Sequence, residues 1–467
     1  MTRVPEPNIL ARFDVFPKVF VVGKEATVTI RNLGAKPFFQ SGQQYKLAVY
    51  GLTGGHRKHF PIASSYVEYV LTCNEEGGFT FKHTFPSEQQ YYLRVISMED
   101  EPIYQFPVYC VEEDLAGRYP FQGDTHLHTT MSDGQQIPEV VVSEYRRFGY
   151  DFLAITDHRK YYPSLQTLDF CASIPTELCV CPGEEVHMID TDGKHNDVHI
   201  INFGGEYSVN ALADGQARDE RGTDPKYRSL KGECPPTMTH EEYEEFIRQR
   251  CAEMDVPEGI DVYPAAVCKW VFSEIRKANG LAIFPHPNWI TNDVFNVPDQ
   301  FTDYLFEQDW FDAYEVLGGA RYYEQNGFQA HRYYDLRAAS KRIPIVGATD
   351  SHSCEPQNPG GFIASTIIFS PENECKALIQ SVKDFYSVAV DTISTEFRMV
   401  GETRLVRYAT FLWQYYFPLH NDLCREEGRL MKQYAVGTEE EKAEAKAVLQ
   451  VIHGRVARQR KKYFDFD

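Results

Sequence analysis

The chain has 467 residues, 43% of them hydrophobic and 24% charged, which is ordinary for a folded protein of two or three domains. Its formal net charge of −20 excludes a general nucleic-acid binder, whose phosphate partner needs a basic surface, but leaves open a small anionic substrate where bound cations reverse the local field. The 11 cysteines show no disulfide-like spacing, residues 1–5 begin no apolar signal core, and no window approaches the ~20 apolar residues that span a bilayer, so a reduced, cytoplasmic location with no membrane partner is expected.

Residues 1 to about 117 read as all-β. Short strand-like runs at 19–22, 26–30, 45–50, 79–83, 90–95 and 103–106 are separated by turn signals such as Gly77-Gly78. Repeated short strands of this kind predict a small β-sandwich. No catalytic constellation lies within it. A packing or homo-oligomerisation module is expected in preference to a carbohydrate-binding one.

The character changes after residue 118. Five segments repeat one theme: Asp124-Thr125-His126-Leu127-His128, Thr156-Asp157-His158, Gly183-Glu184-Glu185, Pro285-His286-Pro287 and Asp350-Ser351-His352. Each sets His or a carboxylate beside an apolar run that reads as a strand. One such segment would carry little weight. Five, spread over about 230 residues, are the pattern of a polynuclear metal site at the strand ends of one α/β barrel. In an extended chain, residues two apart share a side, so His126 and His128 face together, as do Asp350 and His352. The turn-forming loop 129–134 brings Asp133 back toward the same place. Pro138 then opens a helix that Gly149 ends, and the next strand delivers Asp157 and His158. His199 opens an apolar strand, and another at 281–284 delivers His286. Cys179 and Cys181 read as alternating residues of a buried strand rather than a zinc pair. His56, His59, His83, His240, His331, His420 and His453 lie outside these segments and read as packed or surface side chains.

Residues 205 to about 262 form a polar, charged insertion between ligand-bearing strands, with Thr239 and Glu242 spaced as a capping box. Its length exceeds what a simple crossover needs, so it reads either as a lid that restricts the substrate or as a surface excursion with no contact to the site. Residues 392–467 read as helical. Thr438 and Glu441 form a second capping box that opens a long helix. Arg455, Arg458, Arg460, Lys461 and Lys462 fall at its far end, where they complement the helix dipole. The chain has no phosphate-cradling glycine loop, so no nucleotide cofactor is expected.

Taken in order, these motifs run H-x-H with a downstream S-D-G, T-D-H, G-x-E, a His opening a short apolar strand, H-P and D-x-H. The set resembles the PHP (polymerase and histidinol phosphatase) domain of metal-dependent hydrolases, over residues 120 to about 390. The extra flanking domains are similar to those of its carbaryl-hydrolase-like subgroup. The resemblance implies an α/β fold class: a distorted (β/α)7-type barrel over 118–391, with an N-terminal β-sandwich over 1–117 and a helical C-terminal extension over 392–467.

It also implies two to three divalent ions, Mn²⁺, Zn²⁺ or Fe²⁺, held by nine residues. His126, His128, Glu185 and Asp350 resemble the first site. Glu185 would bridge to a second ion with His199 and His286, and Asp133, His158 and His352 resemble the third. Glu184 competes with Glu185, but the family's ligand is followed directly by an apolar residue, which favours Glu185. His187 and His195 compete with His199 and His286, but neither opens an apolar strand. Glu185, Asp350 and His286 would stand at the reacting centre. Arg159, Lys160 and Arg321 are candidates for binding an anionic substrate, and Asp157 could orient a ligand from behind. The implied reaction uses hydroxide held between two cations, most commonly on a phosphoester. The same attack on a carboxyl ester, carbamate or amide is the alternative among enzymes. A non-catalytic, metal-stabilised interaction module is the alternative from a different class.

Overall fold

The computed structural model describes residues 9–466 apart from 35–37, 55–66, 189–195, 214–224, 319–324, 355–363 and 393–397. The chain divides into two compact units. One comprises Met1–Arg118, Thr403–Leu423 and Gly454–Asp467; the other comprises Tyr119–Glu402 and Cys424–His453.

The first unit carries two sheets. Phe13–Phe16, Glu25–Asn32 and Phe79–Thr84 pair antiparallel. Val19–Val21, Pro102–Val111, Gln89–Ile96, Gln44–Gly51 and Val67–Thr72 form the second, in that spatial order. Residues of Phe79–Thr84 alternate buried and exposed, the mark of a sheet with one face inward. Rings gather on the inner faces, with Phe13 5.1 Å from Phe106 and Phe39 5.0 Å from Phe79. The strands Phe13–Phe16 and Val67–Thr72 carried little sequence signal. The first is four residues long and stops at Pro17, and the second lies at a sheet edge with every side chain at least partly exposed.

Two helical pieces belong to this unit. Thr403–Tyr415 stacks Tyr408 on Tyr109, and its Arg404 pairs with Glu88 and Asp114. The basic cluster expected at the end of one long helix lies elsewhere. The helix Glu439–Ile452, opened by the Thr438/Glu441 capping box, stops before Gly454, whose φ of 78° suits glycine, and Arg455–Tyr463 is a helix of its own. Lys462 and Tyr463 there bind the carboxylate of Asp14.

The second unit is mixed α/β. Cys179–Cys181, Phe152–Ala154, Tyr119–Asp124, Ala364–Ser370, Ser387–Asp391 and Arg398–Val400 form a six-stranded sheet. Gly183–Val186, Ile200–Phe203, Leu281–Phe284, Ala313–Leu317 and Ile345–Gly347 form a five-stranded one. The run from Tyr119–Asp124 to Cys179–Cys181 is parallel, as is the run from Leu281–Phe284 to Ile345–Gly347. Antiparallel pairs flank both runs, at Gly183–Val186 with Ile200–Phe203 and at Tyr119–Asp124 with Ala364–Ser370. These pairings do not close into one ring. Nearly every strand residue is buried, as expected of sheets covered by helices.

The described part of the insertion is packed into this unit. Tyr243 and Ile247 of the helix His240–Glu253 join the core cluster of the helix Val262–Lys277, with Val209 and Leu212. No helix of the described residues is long and apolar enough to cross a membrane.

One buried ion pair ties the helix Phe417–Val436 to this unit. Arg146, fully buried, donates to Glu427 at 2.8 and 3.0 Å, to Asp151 at 3.1 Å and to the Tyr150 carbonyl at 3.0 Å. The other Glu427 oxygen accepts from Thr176 Oγ1 and the Glu177 amide. Removing one partner of such a pair leaves a buried charge short of its counter-charge. Glu427→Leu is therefore expected to lower the unfolding free energy by about 3–5 kcal/mol, as measured by urea denaturation. A loss below about 1 kcal/mol would show that Asp151 alone satisfies the guanidinium.

Candidate metal centre

The strand Tyr119–Asp124 ends at a joint. Asp124 is fully buried, and its carboxylate accepts the His126 amide at 3.0 Å and the Thr349 amide at 3.2 Å. Burial pushes its pKa up to about 7 against those hydrogen bonds. Leu127 bridges in parallel to Ser351, and the His128 amide donates to the Ser351 carbonyl at 3.0 Å. The segments carrying His126, His128, Asp350 and His352 are thereby locked side by side. Leu127 points the other way, into an apolar cluster.

Asp157 performs the equivalent task for the next loop. Its carboxylate accepts from the Thr129 amide and hydroxyl at 2.8 and 2.7 Å, and from the Ser132 amide and hydroxyl at 3.2 and 2.5 Å. Gly134 is required there, because a Cβ would lie 2.7 Å from the His128 backbone. The loop so held presents Asp133 to two imidazoles, with Oδ2 at 3.4 Å from His158 Nε2 and 3.3 Å from His352 Nε2. His352 is oriented by its Nδ1 contact with the Asp350 carbonyl at 2.9 Å. His128, Asp133, His158 and His352 come close enough to share one ion.

Glu185 lies at the middle of the remaining residues. Six imidazoles come within 3.5 Å of its carboxylate: His126 and His128 at 3.5 Å, His187 and His286 at 3.4 Å, His199 at 2.8 Å and His158 at 2.6 Å. Asp350 Oδ1 lies 3.2 Å from His126 Nε2 and 3.0 Å from His128 Nε2. The structure thus brings all nine ligand candidates into one cluster. Glu184 points to the opposite side, where it accepts from Ser208 Oγ at 2.7 Å, the Val209 amide at 2.5 Å, and the Asn202 and Asn210 side chains at 3.2 and 3.3 Å. Residues 208–210, the start of the insertion, therefore brace the Glu184–Glu185 strand from behind, a contact distinct from that of a lid.

Burial opposes the ionised form of Glu185, but His158, His199, His126 and His187 outweigh it and hold the carboxyl well below its usual range. Asp350 is lowered in the same way by His126 and His128. His158 is raised to about 10, against burial, by Glu185 and Asp133. Two candidate ligands adopt left-handed backbone, His286 at φ 23° and Asp350 at φ 48°, a conformation that persists only where the surroundings impose it.

The cluster fits a divalent cation on its own evidence. His126 Nε2, His128 Nδ1 and both Glu185 oxygens are buried without a hydrogen-bond partner. Such atoms are rare unless an ion or water satisfies them. Imidazole nitrogen with carboxylate oxygen is a donor set for Zn²⁺, Mn²⁺ or Fe²⁺.

Two members of the cluster lie outside those nine. His187 stands 3.0 Å from His158 and stacks on His199 at 3.8 Å between ring centroids. The two-apart rule would have found it, because Glu185 and His187 share a strand side. Glu315 is fully buried and lies 2.9 Å from His126 Nδ1, which fixes the ring so that Nε2 faces the cluster. Its signal was an acid inside the otherwise apolar strand Ala313–Leu317. Among the substrate candidates, Arg159 donates its amide to the Glu185 carbonyl at 2.9 Å, and Lys160 binds the Met131 carbonyl through Nζ. Arg321 and His195 lie outside the described residues.

No family model matches the chain, and no curated protein matches it. Solved structures similar to it include a two-domain protein from Bacteroides vulgatus containing a predicted PHP-like metal-dependent phosphoesterase. That match has 16% identity, covers 64% of this chain and 71% of the other, and has a TM-score of 0.39. A protein from Bifidobacterium adolescentis proposed to be a metal-dependent phosphoesterase is 20% identical over 50% of this chain and 90% of its own, with a TM-score of 0.32. An amidohydrolase from Chromobacterium violaceum is 17% identical over 50% and 88%, with a TM-score of 0.31.

The two adjacent glutamates give a paired test. Glu185→Gln should lower the ion content found by elemental analysis while the fold persists. Glu184→Gln should keep the ions but lose about 1–3 kcal/mol of stability, because an amide cannot accept from all its donors. The reverse result would place the strand one residue out of register.

Proposed function

We propose that the chain is a PHP-type metal-dependent hydrolase, and specifically a phosphoesterase acting on a small anionic substrate. The observation that carries this is the single buried carboxylate of Glu185 with six imidazoles around it and no hydrogen bond to either oxygen. A (β/α)7-type barrel, a β-sandwich at 1–117 and the carbaryl-hydrolase-like subgroup are the finer parts of the same proposal. They rest on the motif order and the flanking segments.

His126, His128, Glu185 and Asp350 would hold one ion, His199 and His286 with Glu185 a second, and Asp133, His158 and His352 a third. His187 is a further donor beside His158. Bound divalent ions would supply an activated water at neutral pH and polarise the bond to be broken. The protein's own part is positional. Glu315 accepts from His126 Nδ1, which leaves Nε2 free to act as a donor atom. Asp350 is half-buried, with its carboxyl held low by His126 and His128, and would orient the attacking water by accepting its hydrogen bond. Arg159 and Lys160, which follow His158 directly, would supply positive charge for an anionic group.

The test is a panel of p-nitrophenyl phosphate, bis-p-nitrophenyl phosphate and p-nitrophenyl acetate with added Mn²⁺, run beside elemental analysis. Two to three ions and turnover of a phosphate ester are expected. His126→Ala with His128→Ala should remove at least one ion and lower that turnover by about 100-fold or more. Turnover of the acetate alone would replace the phosphoesterase with a carboxyl-ester hydrolase. Bound ions without turnover would favour the interaction module, and absence of ions after reconstitution would end the proposal.

A further inference from the structure

The turn after His286 builds a second feature beside the centre. The Trp289 amide donates to the His286 carbonyl at 3.0 Å, and the Asn296 amide donates to the Trp289 carbonyl at 2.7 Å. Between them, Ile290–Thr291 and Val294–Phe295 pair as a small antiparallel hairpin. Its two turn residues, Asn292 and Asp293, are both left-handed, at φ 49° and 67°. This is the conformation a tight two-residue hairpin turn demands, and Asn and Asp tolerate it. Trp289 is thus fixed to a candidate ligand by a turn of four residues rather than carried on a loose loop.

The Trp289 ring lies 5.9 Å from that of His286 and 6.1 Å from that of His199, so it forms part of the wall of the centre. It is nevertheless 41% exposed, and Val294, which shares its hairpin face opposite Thr291, is 62% exposed. Its indole N–H meets no acceptor among the described residues. A large aromatic held open to solvent beside a buried polar cluster, with apolar neighbours on the same hairpin, is surface kept for a ligand rather than for the core.

We infer that Trp289 is a specificity-determining residue, and that the substrate carries a flat apolar group, an aromatic ring above all, which packs on the indole while its anionic group sits at the centre. This rests on the phosphoester reading and adds the chemistry of the group attached to the phosphoryl. A molecule whose phosphoryl oxygens face His199 and His286 would lie within reach of the indole, whose ring stands 6.1 and 5.9 Å from theirs. Stacking there recovers the apolar area that the exposed hairpin otherwise leaves in water.

The experiment uses two non-hydrolysable anions, phenylphosphonate and methylphosphonate, titrated calorimetrically into the Mn²⁺-loaded full-length protein. They share the anionic group and differ only in the apolar one. The wild type should bind phenylphosphonate about tenfold more tightly, the scale of one aromatic contact with its buried area. Trp289→Ala should remove most of that preference and Trp289→Phe should keep it, while ion content and methylphosphonate affinity stay unchanged in both. Equal binding of the two anions to the wild type, or a preference that survives Trp289→Ala, overturns the inference and leaves the phosphoester reading standing. Failure of both anions to bind the metal-loaded wild type overturns that reading and the inference with it.

Discussion

A carboxylate with no solvent exposure and no hydrogen bond to either oxygen is the constraint on which this fold turns. Taking Glu185 out of water costs several kcal/mol, and only nearby positive charge can repay it. The imidazoles around it must supply that charge, either as bound protons or as donors to shared cations. Without cations the burden falls unevenly. Burial opposes charge on all of them, yet acidic neighbours raise His126, His158 and His286, while burial prevails at His128, His187 and His199. Acidic neighbours thus favour the protonated form at three of the six rings, and burial the neutral form at the other three. Divalent ions would replace those protons, so uptake of ions and release of protons are coupled here by the geometry itself.

The other buried acids of this region show how different Glu185 is. Asp124, Asp157 and Glu184 each take two or more backbone or side-chain donors, and their task is to join chain segments. Asp124 joins the segments of His126 and Asp350. Asp157 holds the loop of Asp133, and Glu184 anchors the start of the insertion behind Glu185. Glu315 is intermediate: one oxygen meets His126 Nδ1 and the other meets no partner. Carboxylates saturated with donors are structural joints; the one left unsaturated is the one that faces a candidate cation site. Adjacent glutamates divide these two tasks because a strand sends successive side chains to opposite faces.

What the sequence revealed follows from which signals are local. The two-apart pairs His126/His128 and Asp350/His352 are local, and so are the capping boxes at Thr239 and Thr438, which appear where their spacing put them. Glu315 was hidden because its role depends on strand Ala313–Leu317 lying opposite His126, a contact between residues far apart in sequence. His187 is legible as a competitor of His199 and His286; it opens no apolar strand, and only the alternation that links it to Glu185 marks it as a neighbour of the cluster. The sheet pairing was out of reach altogether. Antiparallel insertion of Ile200–Phe203 between two strands, and of Ala364–Ser370 beside Tyr119–Asp124, leaves no mark in strands that are buried on both faces and so lack alternation. Gly454 is itself a helix-stop signal, but the basic run beyond it has the composition of a helix end, which makes the two helices resemble one.

The backbone at the centre explains why such a cluster can be held ready. His286 sits between Pro285 and Pro287, and a residue before proline is already restricted in conformation. Its φ of 23°, and that of 48° at Asp350, each cost of order 1–3 kcal/mol and survive only where packing over-determines them. That packing is present: Leu281–Phe284 and Ile345–Gly347, the strands leading into the two residues, are buried throughout. Burial of the strands behind the cluster holds this backbone in place. His286 and Asp350 are therefore carried at the ends of buried strands, which fixes where their donor atoms can stand.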